Sequence, residues 1–269
     1  MALTVRELKP SEWRSFQSRV ARLEAGVTYP LGEDRFEIDH GEDYFAFFTR
    51  LGVLSFYVAL DGQKVVAVCA AVLRTIPSTP GEPPTKVWYL CDLKVHPEYR
   101  RKRIPWKMFL HGFPRKYPVC PRGYAISMNP SGNRANPVVR LTTHFHLTPS
   151  SVGTILKLYS LDATTMHGFA HRLIENRGPI SYLSLKGKKD IVLASTGRPM
   201  PLLHVQFGPC AAPGVPEPIE EHVHMFCLPD DDPLHTALEE DGIQAHATAS
   251  VIHHRMSRRD WSFVLTSDI

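Results

Sequence analysis

Apolar and polar positions along this chain fall into spacings that assign most segments before any chemistry is considered. Leu3-Thr4-Val5-Arg6-Glu7-Leu8 alternates as a first strand does, and Trp13, Phe16, Val20 and Leu23 then share one helical face, with Ser11 expected as its cap. Residues 29–43 show no period. Tyr44, Phe47, Phe48 and Leu51 form a second apolar helical face that Gly52 stops. Residues 56–60 and 64–73 read as strands joined through Asp61-Gly62, a pair suited to a type I′ hairpin.

The pattern is sharpest over residues 87–113. An apolar, β-branched and aromatic run, Val87-Trp88-Tyr89-Leu90-Cys91-Asp92-Leu93-Lys94-Val95, predicts a buried strand that Pro97 prevents from continuing. Arg100, Arg101, Lys102 and Arg103 follow, and Pro105 sits where the start of a helix tolerates a missing N–H. Trp106, Phe109, Leu110 and Phe113 then recur at i, i+3, i+4 and i+7, a helix that Pro114 is expected to end. Strand, basic turn and helix together make an anion site, because unpaired amides and the positive end of the helix dipole meet four side-chain charges there. A pyrophosphate suits it.

Further on, residues 123–128 predict a strand, and Asn129 to Asn136 a capped turn into a helix running to about residue 145. Residues 154–160 predict the next strand. In the last third, 180–185, 191–195, 202–207, 223–228, 247–252 and 261–266 are strand-like, and Asp231-Asp232-Pro233 opens a short helix closed by Gly242.

Composition adds bounds. The 269 residues suffice for one large domain or two small ones, and the formal charge of +4 is modest and dispersed outside the basic turn, which argues against a nucleic-acid partner. Five scattered cysteines without a C-x-x-C pair argue against a disulfide framework or a thiolate zinc site. No apolar stretch reaches membrane-spanning length and the first residues carry no apolar signal core, so a cytoplasmic protein is expected.

Leu93-x-Val95-x-Pro97-Glu98-Tyr99-Arg100-x-x-Arg103-x-Pro105 resembles the acyl-CoA signature of the GNAT superfamily of N-acyltransferases, Leu-x-Val-x-Pro-x-x-(Arg/Gln)-x-x-Gly-x-(Gly/Ala). The back half departs, with Arg103 and Pro105 where the family has small residues. The resemblance implies an α/β fold: a mixed, mostly antiparallel GNAT-like sheet flanked by helices over residues 1–164, followed at 165–269 by an α/β half. That half is expected to be either a degenerate second GNAT-like unit or an inserted segment completing one sheet. It also implies acetyl-CoA or another acyl-CoA as co-substrate. Leu93, Lys94 and Val95 would hold pantetheine, and Arg100, Arg101, Lys102, Arg103, Ile104 and Pro105 the pyrophosphate. Asn129, Asn133 and Asn136 lie at the family's second coenzyme-binding segment. A side chain at Arg103 and a missing donor at Pro105 are expected to weaken the amide cradle, with arginine side chains compensating.

The chemistry implied is direct attack of a small-molecule amine on the thioester, which needs a base and no nucleophilic residue. Asp92 is the candidate base and Tyr89 a candidate donor to the leaving thiolate. His144 stands near the position where the family often has a tyrosine acid. Cys91 reads as a buried small residue, and His96 and His146 more as structural than as proton carriers. His222-x-His224 and His253-His254 lack a third ligand at metal spacing, so no metal site is expected. Residues 29–43, with His40, Glu42 and Asp43, correspond to the family's acceptor region. Two other readings stand beside this one: an N-acyl amino acid synthase fed by an acyl carrier protein, and a non-catalytic polyanion-binding module.

Overall fold

A computed structural model describes residues 3–78, 83–131, 134–142, 145–257 and 259–269. The first half runs β1 (Thr4–Leu8), α1 (Trp13–Glu24), β2 (Tyr29–Leu31), β3 (Asp34–Asp39), α2 (Ala46–Leu51), β4 (Val53–Asp61), β5 (Lys64–Ile76) and β6 (Thr85–Val95). It continues with α3 (Ile104–Lys116), β7 (Gly123–Met128), α4 (Pro137–Thr142) and β8 (Ser151–Leu161). The second half comprises α5 (Ala163–Arg177), β9 (Ile180–Leu183), β10 (Asp190–Leu193), β11 (Leu202–Phe207), β12 (Val223–Pro229), α6 (Leu234–Glu240) and β13 (Ala247–His254).

Among the described residues, ten strands form one sheet in the order β1-β4-β5-β6-β7-β13-β8-β12-β11-β9. Neighbours are antiparallel except at β6/β7 and β11/β12, each parallel over only three residue pairs. The four strands on either side of the β13/β8 junction mirror each other, β13-β7-β6-β5 against β8-β12-β11-β9, each with its parallel pair at the same remove, and β4 and β1 extend the first arm. After β7 and α4 the chain enters β8, the neighbour of β12; after β12 and α6 it enters β13, the neighbour of β7. Each half therefore lends its last strand to the other. A small second sheet, β10-β3-β2, ties the halves together again, and it accounts for the segment 29–43 that carries no sequence period.

Several sequence expectations change here. The buried face of α3 is Ile104, Met108 and Gly112, not the aromatic stripe. A Cβ on Gly112 would stand 3.1 Å from the Tyr57 ring, so a small residue is needed there. Trp106 and Phe109 stack instead on Phe145, with centroids 5.2 and 4.8 Å apart. Pro114 lies inside α3 rather than ending it. The last turn is pinned from outside: Lys116 donates from Nζ to Glu7 and Ser55, and its carbonyl accepts from Trp88 Nε1. The expected hairpin closes on Asp61 and Lys64, with Gly62 at φ +57 and Gln63 absent from the positive-φ residues, so it is not type I′. Ser11 sits in a 3-10 turn (Pro10–Glu12) and does not cap α1.

Residues 261–266 do not form a strand. They turn and enter a short 3-10 helix (Thr266–Asp268), with Trp261, Phe263, Val264 and Leu265 buried. This segment bonds to both arms of the sheet. Thr266 Oγ1 donates to the Met225 carbonyl on β12 and Gln206 on β11 donates to Ser267 Oγ, while Asp268 pairs with Arg74 on β5 at 3.0 Å. The sheet is therefore bent around its own C-terminal segment.

Candidate functional site

The site starts from a defect in β6. Val68 opposes Lys94 and Ala70 opposes Cys91, so Asp92 and Leu93 together face the single residue Cys69. This bulge places Asp92 at φ +56, in the left-handed region, and bends the strand. β7 follows β6 only along Trp88, Tyr89 and Leu90, then diverges with β13 still paired to its other edge. Residues 91–95 thus present a strand edge toward β7 with no ladder partner there, and an extended ligand can pair with such an edge. Leu93, Lys94 and Val95 lie on it.

At the mouth of the divergence, a 3-10 turn (Pro97–Tyr99) leads through the basic residues to the start of α3. Arg101 and Arg103 adopt φ +63 and +55. The backbone keeps the left-handed shape that glycine takes without strain, and arginine holds it at a cost of roughly 1 kcal/mol or more per residue. Tyr99 donates to Asp61 Oδ2 at 2.7 Å, fastening the turn to the β4/β5 hairpin. Lys102 lies over the Tyr99 ring, whereas Arg100, Arg101 and Arg103 are exposed and have no side-chain partner among the described residues. Ile104 is buried under this corner and Pro105 lines the cavity behind it.

Behind the bulge lies a buried polar cluster. Lys94 Nζ donates to Glu24 Oε2 at 2.8 Å and pairs with Asp92. Tyr44, whose hydroxyl has one proton to give, lies 2.7 Å from Glu24 Oε2 and 2.9 Å from Asp92 Oδ2, and it accepts from Lys94 at 3.3 Å. His40 places Nε2 3.5 Å from Glu24 and Nδ1 3.1 Å from the Lys188 carbonyl. The two carboxylates fare differently. Burial raises Asp92 from its ordinary value despite Lys94, whereas His40 and Lys94 outweigh burial at Glu24 and hold it at about 2. Burial would lower Lys94, but Asp92 and Glu24 outweigh it and keep the ammonium charged. Ligand atoms of Glu24, His40 and Asp92 lie within 4.8 Å of one another, a spacing a metal could use. Lys94 already supplies the cation there.

Other expected residues serve the frame. Tyr89 is buried, stacks on Tyr124 at 4.9 Å and donates to the Asp268 carbonyl, so its proton is committed away from the open edge. Burial also pushes that phenol upward, which opposes the role of acid. Asn136 caps α4, its Oδ1 accepting from the Val138 amide and its Nδ2 reaching Asn129 Oδ1. Asn129 also bonds Thr248 and Ser250 on β13. Both amides are thus occupied inside the fold rather than offered to a coenzyme. α4 is described as far as Thr142, and Phe145, the expected last residue, is not helical. Asn133 and His144 lie outside the described residues. Asp43 accepts from the Phe45 amide ahead of α2 and so serves the start of that helix. Burial pushes the Cys91 thiol far up, as expected of a structural cysteine.

A cavity of about 430 Å³ passes through the β6/β7 divergence. On one side it is walled by Phe109, Phe113 and Phe145, on the other by Tyr29, Phe36 and Phe47. That size and apolar lining suit a small organic ligand. Asp92 reaches its wall, and so does Lys189, brought from the second half. Sequence reasoning passed over Glu24, Tyr44 and Lys189. Glu24 ends the α1 stripe one turn beyond Val20, so its buried position was visible in the spacing; Lys189 carries no local signal.

Comparison with known proteins places this geometry. No protein-family profile matches the chain. It is 22% identical over 233 residues to Uncharacterized protein L340 of Acanthamoeba polyphaga mimivirus, covering 84% of this chain and 68% of that one. The architecture, a mixed, mostly antiparallel sheet flanked by helices, is similar in fold to that of solved GNAT proteins. A tandem GNAT protein from the clavulanic acid biosynthesis pathway, solved without acetyl-CoA, aligns over 96% of this chain and all of its own. The TM-score is 0.52 at 12% identity, a likeness of fold. A GCN5-related N-acetyltransferase from Kribbella flavida aligns over 94% of this chain and 71% of its own, with a TM-score of 0.45 at 11% identity. No helix of the described residues is long and apolar enough to cross a membrane.

Proposed function

We propose that the β6/β7 divergence is an acyl-CoA site and that the protein is an N-acyltransferase acting on a small-molecule amine. The observation that carries this is the run from unpaired β6 edge through the left-handed basic turn to the first turn of α3, opening onto an apolar cavity. In this reading residues 1–164 form the working unit and 165–269 a degenerate one packed on it. The main chain of Leu93 to Val95 pairs with the pantetheine arm, and Arg100 to Arg103 with the first α3 amides hold the pyrophosphate. The amine nitrogen bonds to the thioester carbon, the carbon–sulfur bond breaks, the amine proton passes to Asp92 and the thiolate takes a proton from solvent. Asp92 suits the role because burial raises its proton affinity above that of an ordinary aspartate while it still reaches the cavity. A cytosolic donor such as acetyl-CoA and the free cysteines fit a cytoplasmic protein.

Exposed arginines at the mouth also suit an acidic carrier protein as donor. Calorimetric titration with acetyl-CoA, a long-chain acyl-CoA and acyl carrier protein separates the donors. Changing Arg100→Ala and Arg103→Ala together is expected to weaken the true donor by about tenfold or more, since two charge-assisted contacts are lost. Unchanged affinity would reject the pyrophosphate assignment. Asp92→Asn is expected to lower turnover by roughly a hundredfold, the usual scale of a lost general base, with donor affinity preserved. Mass spectrometry of an amine library incubated with the preferred donor reads that turnover.

A further inference from the structure

One cation on the cavity wall touches no counter-charge among the described residues. Lys189 precedes β10 in a turn whose amides bond back to the Leu185 carbonyl. That turn is pressed onto the first half. The Lys188 carbonyl faces His40 Nδ1, and Gly41 approaches Gly187 so closely that a Cβ on it would stand 2.2 Å from the Gly187 carbonyl oxygen. The docking carries Lys189 out of the second half and into the cavity of the first. Its residue is 8% exposed, its Nζ lies 4.4 Å above the Phe47 ring, and it makes no hydrogen bond or ion pair with any described residue.

The neighbouring charges pair with one another. Asp92 and Glu24 share Lys94, Glu24 also faces His40, and Asp268 lies between Arg50 and Arg74. Arg50 and Lys94 repel Lys189 and Glu24 attracts it from beyond ion-pair distance, so the ammonium stands against apolar wall with no contacting counter-charge among the described residues. His204, also on the wall, is neutral: Thr266 Oγ1 spends its proton on the Met225 carbonyl and so accepts from His204 Nδ1, and burial holds the ring at about 3. A buried ammonium without a partner is expensive, and an anion entering the cavity would relieve it through a charge-assisted bond in low dielectric.

We propose that Lys189 anchors a carboxylate on the acyl acceptor, so that the acceptor is an amino-acid-like amine with an apolar body. The assignment of the anion to an acceptor rests on the transferase reading; the anion site itself does not. It also gives the second half a task, since that half supplies the specificity residue of the first.

Calorimetry on the full chain, without coenzyme, tests it with 3-phenylpropionate, L-phenylalanine and L-phenylalaninamide against wild type, Lys189→Met and Lys189→Arg. Both carboxylates are expected to bind wild type about tenfold or more tightly than Lys189→Met, with Lys189→Arg retaining most of the affinity and the amide indifferent to the change. Carboxylates that fail to bind, or bind Lys189→Met equally well, would overturn the proposal. So would an acetyl group mapped to Lys189 after incubation with acetyl-CoA, which would make the amine an acyl acceptor instead. Lys189→Met is expected to melt at a higher temperature than wild type; a lower one would reveal a protein partner for the ammonium and also overturn it. If carboxylates bind through Lys189 while acetyl-CoA does not bind, the anion site stands and the transferase reading falls.

Discussion

The two parallel strand pairs start alike and end differently. β6/β7 and β11/β12 each hold together for three residue pairs and then part. At β6/β7 a bulge, a basic turn and a long helix border the opening, and a cavity runs through it. At β11/β12 the crossover is residues 208–222, rich in proline and without a helix, so no helix start is offered to an anion. The C-terminal segment is bonded across that second divergence through Thr266 and Ser267. Strand divergence alone therefore makes only a gap. What surrounds the gap decides whether it becomes a site or part of the core.

The largest effect that would break this contrast lies in the segment across the second gap. Asp268 is buried between Arg74 at 3.0 Å and Arg50 at 3.7 Å, and Arg74 also donates to Tyr124. Asp268→Ala leaves a buried guanidinium, Arg74, and a half-buried one, Arg50, without their carboxylate, a change expected to destabilise the fold by about 3–5 kcal/mol in denaturant titrations. A loss under about 1 kcal/mol, the scale of a surface pair, would mean that the segment is not docked as described.

Next in size is a test of what the second half sends into the first. Burial, with Arg50 and Lys94 adding repulsion, depresses Lys189 from the usual 10.5 to about 8. Between those values the unfolded chain binds the proton and the folded chain does not, so this residue makes stability rise as pH increases from about 8 to 10.5. Lys189→Met should abolish that rise and stabilise the protein at neutral pH on the order of 3 kcal/mol, the free energy of such a shift. Parallel wild-type and mutant stability curves across this window would show that the amine is not desolvated.

How much was legible in sequence follows the same division between local and distant causes. The β6 strand, the basic turn and α3 are written in adjacent residues, and so is the β4/β5 hairpin. Pro114 misled because a helix end is weighed locally, whereas Lys116 is held by Glu7 and Ser55 far away in sequence. Residues 261–266 alternate as a strand would, yet they are held by side-chain bonds to β11 and β12 and by burial of Trp261, Phe263, Val264 and Leu265, none of which local spacing reveals. The Glu24, Tyr44, Asp92 and Lys94 cluster was half visible: Asp92 and Lys94 stand out on β6, while their partners come from α1 and the turn before α2. The Asn129 and Asn136 amides fit the resemblance by position, but their hydrogen bonds to β7 and β13 could be known only from the folded chain.

The smallest effect is the most local, and it concerns Arg103, one of the two positions at which the basic turn departs from the signature it resembles. Arg103 holds φ +55 at the entrance to α3. Arg103→Gly and Arg103→Ala remove the same charge but differ in the Cβ, which the left-handed conformation penalises by roughly 1 kcal/mol. Glycine gains more freedom in the unfolded chain, which offsets part of that difference. The glycine variant is therefore expected to be more stable than the alanine variant by about 0.5 kcal/mol and to bind acetyl-CoA more tightly, since its amides approach the phosphates unhindered. Both should bind more weakly than wild type at low salt, with the gap closing as salt screens the exposed charge. An alanine variant as stable as the glycine variant would show that the turn does not hold the left-handed geometry, and the contrast between the two strand divergences would lose its backbone half.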